Sequence, residues 1–336
     1  MKKPQIRLCT AVAAAFTFLL GGCSSVSSET AAEVIEESVA AEVTETAEVT
    51  ETDTENEAVT FTDDLGREIT VSNPERVAAL IGSFTDIWML AGGEVVAAAN
   101  DSWESLELDL GEDVVNLGSI LEPDIEQLLA AEPDLVLGSV NTDADLAMED
   151  ILNEAGIPVA YFAVSNFDEY LHMLDICTQI TGRRELYEEN GLKVQQQIEQ
   201  TKERADGSAP TVLFLRASAT SVKAKGSKDN VCGEMLKDLG CINIADSNDG
   251  LLEDLSMEAI IVADPDYIFV TTQGTNYEAA MQNVEEILLS NPAWASLSAV
   301  QNGNYYLLEK RLYNLKPNAR WGEAYEKLAD ILYPEN

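Results

Sequence analysis

The chain has 336 residues, with 60 acidic side chains against 20 basic ones, a single histidine and a net charge of −40. So acidic a protein offers no basic face to a phosphate backbone, which excludes nucleic acid as a partner. With one histidine, a transition-metal site built from side chains is not expected either, because such sites draw on several His or Cys ligands.

Lys2, Lys3 and Arg7 precede an apolar run over 11–20, and Gly21 and Gly22 then lead into Cys23. A basic start, a short apolar stretch and small residues form an export leader. The run is shorter than the roughly 20 residues a membrane span needs. With its cysteine so placed, the segment 1–22 resembles the bacterial lipoprotein signal, which implies that Cys23 becomes the lipid anchor, with fatty-acyl chains such as palmitate. More than one acyl chain makes such anchoring stable, so an exported, membrane-tethered protein is expected, on the outer face of the cytoplasmic membrane. Residues 23–58 are rich in Glu, Asp, Thr, Val and Ala, without Lys, Arg or aromatic residues. Such a stretch cannot bury enough apolar surface to order itself, and like charges extend it. It reads as a solvated tether.

The remainder, 59–336, is long enough for two α/β lobes. Two alternating runs around Gly66 read as a β-hairpin over 59–71. Residues 76–81 read as a buried strand, 82–85 as a loop, 86–91 as a helix and 95–99 as a second strand. A helix–turn–strand unit follows, with Glu126 in its helix, Pro133 and Asp134 in its turn and an apolar run over 135–137. The same unit recurs with Glu258, Pro265, Asp266 and a run over 267–270. Pro cannot continue a helix and sets φ for a turn, and the run after it reads as a strand. Between the copies, 157–162 is a strand, 167–181 and 184–204 are helical, and strands restart at 211–215. Alternating β and α elements predict mostly parallel sheets. The fold class is therefore α/β: two Rossmann-like lobes, 59–165 and 207–336, with central mostly parallel sheets, joined through 166–206 by a long rigid α-helix.

This order of motifs resembles the substrate-binding proteins of ABC importers for iron–siderophore complexes, haem and cobalamin. The residues that carry it are the opening 62–70, the lead 73–77 into the first strand, the two Glu…Pro-Asp units, the 236–240 stretch and the 291–294 turn. The resemblance implies a monomer that closes only modestly around its ligand. It also implies that Glu126 and Glu258, one on each lobe, dock onto the dimeric ABC permease, which works with ATPase subunits. A Glu in the first turn of a helix is also favourable to the macrodipole by a few tenths to about 1 kcal/mol.

Loops after strand C-termini line ligand crevices in such sheets. The first-lobe candidates are Ser83 and Phe84, Trp103, and Asn141. In the second lobe, basic residues gather at Arg216, Lys223, Lys225 and Lys228, and again at Lys310, Arg311, Lys316 and Arg320 near Tyr313. Cations beside aromatics suit an anionic, partly aromatic ligand. From these, Ser83, Phe84, Trp103, Asn141, Arg216, Lys223, Lys225, Tyr313 and Lys316 form the expected site, and the ligand a ferric siderophore, with haem or cobalamin as alternatives. Tyr305 and Tyr306 lie in a strand-like run and read as core. His172 falls on a polar helix face and reads as a surface residue. Cys232 and Cys241 bracket a helix-like stretch whose ends lie ~13 Å apart at 1.5 Å per residue, too far for a disulfide. No nucleophile motif or phosphate-binding Gly-rich loop is present, so an enzyme is not expected. A structural or adhesive surface lipoprotein is the alternative of a different class, and it needs neither docking glutamates nor basic loops.

Overall fold

The duplicated unit folds the same way twice. Asp124 caps the helix Ile125–Ala130 by accepting from the Glu126 and Gln127 amides, and Ser256 caps Met257–Ala263 by accepting from the Ala259 amide. Just beyond each helix the chain turns through a left-handed residue, Glu132 at φ 47° and Asp264 at φ 39°. The proline comes next, and then an aspartate with a specific task. The Asp134 carboxylate accepts from the Glu75 and Arg76 amides at 2.8 and 2.9 Å, and the Asp266 carboxylate accepts from the Thr211 amide at 2.8 Å. The aspartate amides return the bond, to Arg76 and Thr211 carbonyls, both at 2.9 Å. Each Pro-Asp turn thus ties the start of its own strand to the start of a neighbouring one.

The computed structural model describes residues 7–8 and 58–334. Most of the leader, Cys23 and nearly all of the tether lie outside the described residues. Arg7–Leu8 pairs in parallel with Tyr306 and Leu307.

Two sheets organise the chain, one per lobe. The first has five strands in the order Val159–Phe162, Leu135–Ser139, Val77–Ala79, Val95–Ala98, Val115–Asn116, all parallel. The second runs Arg7–Leu8, Tyr305–Leu307, Tyr267–Thr272, Thr211–Ala217, Val222–Lys225, with Ile242–Asn243 also beside Thr211–Ala217. Val222–Lys225 is antiparallel to its neighbour and forms a hairpin with it. Leu135–Ser139 is buried along its whole length, as a parallel strand covered on both faces must be. The opening hairpin, Val59–Thr62 with Glu68–Val71, is as expected.

Between the lobes run Phe167–Ile180 and a continuous helical stretch over 184–202, with one wider turn at Glu188–Leu192. That second stretch is roughly 30 Å long at 1.5 Å per residue. Gly191 lets the two helices touch, since a Cβ there would sit 2.7 Å from Leu171 Cδ1. One apolar core spans both lobes and the connecting helices, and each sheet has a separate cluster on its other face. The spanning core contains Phe84 and Phe162 of the first lobe, Tyr170 and Leu174 of the connecting helix, and Phe214 and Trp321 of the second lobe. Phe167 meets Trp321 edge-on at 6.3 Å.

Several loop expectations fail: Trp103 lies on the helix Asp101–Glu104, and Arg216, Lys223 and Lys225 lie on the strands Thr211–Ala217 and Val222–Lys225. Residues 82–85 are the first turn of a helix, Gly82–Leu90, and not a loop. The Gly82 amide donates to Asp101 Oδ1 at 2.8 Å, and a Cβ on Gly82 would lie 2.6 Å from the Ser102 amide. Only glycine lets the 101–102 segment approach so closely, and that contact starts the helix at the strand end.

Asp134→Ala and Asp266→Ala should each cost about 1–2 kcal/mol, the usual value for hydrogen bonds to a charged acceptor. The sites lie in separate sheets, so the double variant should lose close to the total of the two. Urea denaturation followed by tryptophan fluorescence measures this, and a double variant no less stable than either single one would contradict it.

Candidate ligand-binding site

A cavity of about 240 Å³ opens between the lobes. Asn141, Val164 and Ser165 line it from the first-lobe side, and Phe214, Arg216, Asp229, Asn230, Tyr313 and Lys316 are among its second-lobe residues. A larger hollow, about 550 Å³, is lined by first-lobe residues alone, including Arg76, Val95 and Val115. It lies at strand N-termini, whereas ligands of parallel sheets bind beyond the C-termini, where the interlobe cavity is.

The second-lobe wall is a basic sheet face. Arg216 pairs across the hairpin with Lys223, and Phe214 with Lys225. Residues two apart on a strand share a face, so the three cations and Phe214 lie together. Arg216 is half-buried, and among the described residues its guanidinium donates to Asn314 Oδ1, at 3.4 Å. Among the described residues no carboxylate comes within 4.0 Å of its guanidinium, although other basic residues do form such pairs. Burial holds the Arg216 pKa below its ordinary value. The Lys225 pKa is lowered by burial first, then by Arg216 and Lys223. Like charges held at one face are relieved by an anion. The cavity also meets the first turn of the helix Val231–Asp238, whose N-cap Asn230 accepts from the Gly233 amide at 2.9 Å. That turn carries the positive end of the helix dipole.

Lys316 enters from the other side of the second lobe. Its ammonium lies 5.6 Å over the Phe84 ring. Burial lowers its pKa, opposed by Asp101, Asp145 and Glu169. The cavity therefore has a cationic second-lobe wall, and Asp101, Asp145 and Glu169 act electrostatically on the one lysine that lines it from the other side.

The expected site residues divide. Asn141, Arg216, Tyr313 and Lys316 line the cavity. Lys225 is half-buried on the same sheet face, and Lys223 on that face is exposed. Ser83 and Phe84 are buried in the helix that replaced their loop. They underlie the junction and do not present free side chains. Trp103 packs half-buried against the core instead of facing the cavity. Tyr313 lines the cavity as a buried ring whose hydroxyl donates to the Ala324 carbonyl at 3.0 Å. Tyr305 and Tyr306 are core, as read. His172 is exposed, with Nε2 3.8 Å from Asp64 Oδ1. Cys177, Cys232 and Cys241 are buried free thiols. Ser165, Asn230 and Asp145 were not singled out. Of these only Asn230, a capping residue before an apolar run, carries a local signal.

Asp145 has no exposed surface. Its Oδ2 accepts from the Ser139 amide at 2.8 Å, and its Oδ1 has no partner among the described residues. Burial pushes its carboxyl up to about 7, with Asp101 adding to the rise and the Ser139 amide and Lys316 opposing it. Between its unfolded value, about 3.9, and the folded one, the folded state binds more protons than the unfolded. Its contribution to stability therefore falls as pH rises through that window. Asp145→Asn keeps an acceptor for Ser139 and removes the charge. Relative to the parent, it should gain roughly 2–4 kcal/mol between pH about 4 and pH about 7.5. Urea melts across that range check this, and parallel pH profiles for the two proteins would contradict it.

Comparison with known proteins agrees with this geometry. Residues 77–312 match the Periplasmic binding protein family. The Fe(3+)-citrate-binding protein YfmC of Bacillus subtilis (strain 168) is 25% identical over 73% of this chain and 76% of its own. The siderophore-binding protein BauB, bound to ferric iron with two acinetobactin molecules, superposes with a TM-score of 0.67 at 18% identity, over 83% of this chain and all of BauB. The apo periplasmic heme-binding protein RhuT from Roseiflexus sp. RS-1 gives 0.62 at 24% identity, over 77% and 98%. Two lobes on parallel sheets, a cavity at the strand C-termini between them, and a match over most of the chain place this protein in the Periplasmic binding protein family, whose members are substrate-binding proteins of ABC importers and not enzymes.

Proposed function

We propose that this chain is an extracytoplasmic lipoprotein that captures an anionic ferric chelate, a ferric siderophore, between its lobes and delivers it to an ABC permease. The observation that carries this is Arg216, half-buried at the interlobe cavity with no carboxylate partner among the described residues, beside Lys223 and Lys225. A buried cation left unpaired is costly, and a chelate bearing carboxylate or catecholate oxygens supplies the missing charge, with two-point geometry on a guanidinium. The relative YfmC is an Fe(3+)-citrate-binding protein, which accords with that chemistry. Haem is less well served, since the described lining residues include no His, Met or Cys, and the Tyr313 hydroxyl is engaged with Ala324.

In this reading residues 1–22 are the leader, Cys23 carries the lipid, and 23–58 are the tether. The lobes are 59–165 and 207–336, connected by 166–206. Glu126 and Glu258 are the permease-docking residues. What supports them is equivalence: both are exposed, and both are the second residue of a capped helix that begins the duplicated unit. Equivalent acids on two lobes suit the two copies of a dimeric permease.

Arg216→Ala should weaken binding of ferric citrate or a ferric tris-catecholate at least about tenfold, or ~1.4 kcal/mol, while exposed Lys228→Ala leaves it unchanged. Fluorescence titration measures this, and equal affinities for all three proteins would contradict the site. Glu126→Ala combined with Glu258→Ala should preserve chelate affinity and abolish uptake of radioactive iron by cells. Normal uptake would remove the docking assignment.

A further inference from the structure

A polar cluster at the lobe junction is not used by the ligand reading. Asp86, on the first-lobe helix Gly82–Leu90, accepts through Oδ2 from Arg311 Nη2 and from Asn318 Nδ2, both at 2.8 Å. The Asn318 amide also donates to the Ser83 carbonyl at 2.9 Å. Arg311 Nη1 donates to the Lys316 carbonyl at 2.6 Å. The Arg311 and Asp86 side chains are only 18% and 15% exposed. Asn318 is wholly buried and holds a left-handed φ of 55°. Arg311 is therefore bonded through one nitrogen to a first-lobe carboxylate. Through another it holds the backbone of the residue whose side chain enters the cavity. Beside it, Lys310 Nζ donates to Ser105 Oγ across the junction at 3.3 Å.

We propose that Asp86, Arg311 and Asn318 form an interlobe latch that holds residues 310–320 against the first lobe and so positions Lys316 in the ligand cavity. The positioning half of this rests on the cavity being the ligand site. A low-exposure ion pair strongly resists loss of one partner, because the other charge is left buried and unpaired. A polar network with fixed partners also selects one arrangement of the elements it joins. Ordering a backbone segment on binding costs conformational entropy. Anchoring the Lys316 backbone removes that backbone cost before ligand arrives, which is preorganisation. The two basic clusters of the sequence then have different tasks. Residues 216–225 face the ligand, and 310–320 join the lobes and aim a single lysine.

The test uses the ligand-free protein and two variants. Asp86→Asn removes the charge. Asn318→Gly removes both amide donors, and glycine accepts the positive φ without strain. Hydrogen exchange should rise at least tenfold in the amides of 82–90 and 310–320 in both variants and stay unchanged in the second-lobe sheet. Ferric citrate should bind several-fold more weakly to both, and the loss caused by Lys316→Gln should shrink in the Asn318→Gly background. A rise in exchange across the whole chain of Asp86→Asn is a folding defect, and Asn318→Gly, which unpairs no charge, then decides. Unchanged exchange in Asn318→Gly overturns the latch. Faster exchange with unchanged ferric citrate affinity and an undiminished Lys316→Gln effect overturns the positioning of Lys316. If the parent protein binds neither ferric citrate nor a ferric tris-catecholate, the ligand reading fails, and the exchange result still decides the latch.

Discussion

The apolar core that runs unbroken from the first-lobe sheet through the connecting helices into the second lobe is the constraint on which the cleft depends. Phe84 and Phe162 pack edge-on at 6.4 Å in one lobe, and Phe167 carries the contact to Trp321 in the other. A hinge between independent cores would leave the lobes free to move, as loosely joined domains do. A shared core at interior packing density does not deform continuously. The core thus sets the frame on which Phe214 and the helix start at Val231 meet the cavity.

On that fixed frame the charges are distributed unequally. The body of the protein is acidic, and six of its cations, Arg216, Lys223, Lys225, Lys310, Arg311 and Lys316, lie at the cavity, its sheet face or the lobe junction. Among the described residues no carboxylate pairs with Arg216 at the cavity or with Lys225 on the same sheet face, and burial lowers the pKa of both. Arg320 and Lys327, by contrast, are matched with Glu309 and Glu323 on the second lobe. Keeping charge unpaired costs stability, and binding sites commonly carry such perturbed groups. The acidic surroundings would repel a free anion at long range, but that effect is screened beyond about 8 Å at physiological salt. In the proposed reading, recognition falls to the short-range cationic face.

Much of this was legible in the sequence where the signal is local or periodic. The alternation of strands and helices, the two helical stretches and the duplicated Pro-Asp turn follow from apolar spacing and turn chemistry, and the structure shows all of them. The turns were readable because Pro ends each helix locally, although the aspartates themselves bond strand starts 58 or 59 residues away for Asp134 and 55 for Asp266. What failed was non-local. Gly82 to Thr85 has loop composition, and only the close approach of residues 101–102 makes it a helix. Trp103 and Phe84 are aromatics in loop-like context, yet the core claims both. The separation of the basic residues into a ligand face and a junction could not be read either, because Asp86 and Arg311 meet across the junction from opposite ends of the domain.

The central claim is that the interlobe cavity holds an anionic ferric chelate, and the most direct measurement is the absorption spectrum of the protein purified from its native host. The account predicts a ligand-to-iron charge-transfer band that disappears when a strong competing chelator removes the iron, and no Soret band. A Soret band or a corrinoid spectrum would contradict it, as would a colourless protein with no affinity for any ferric chelate offered to it.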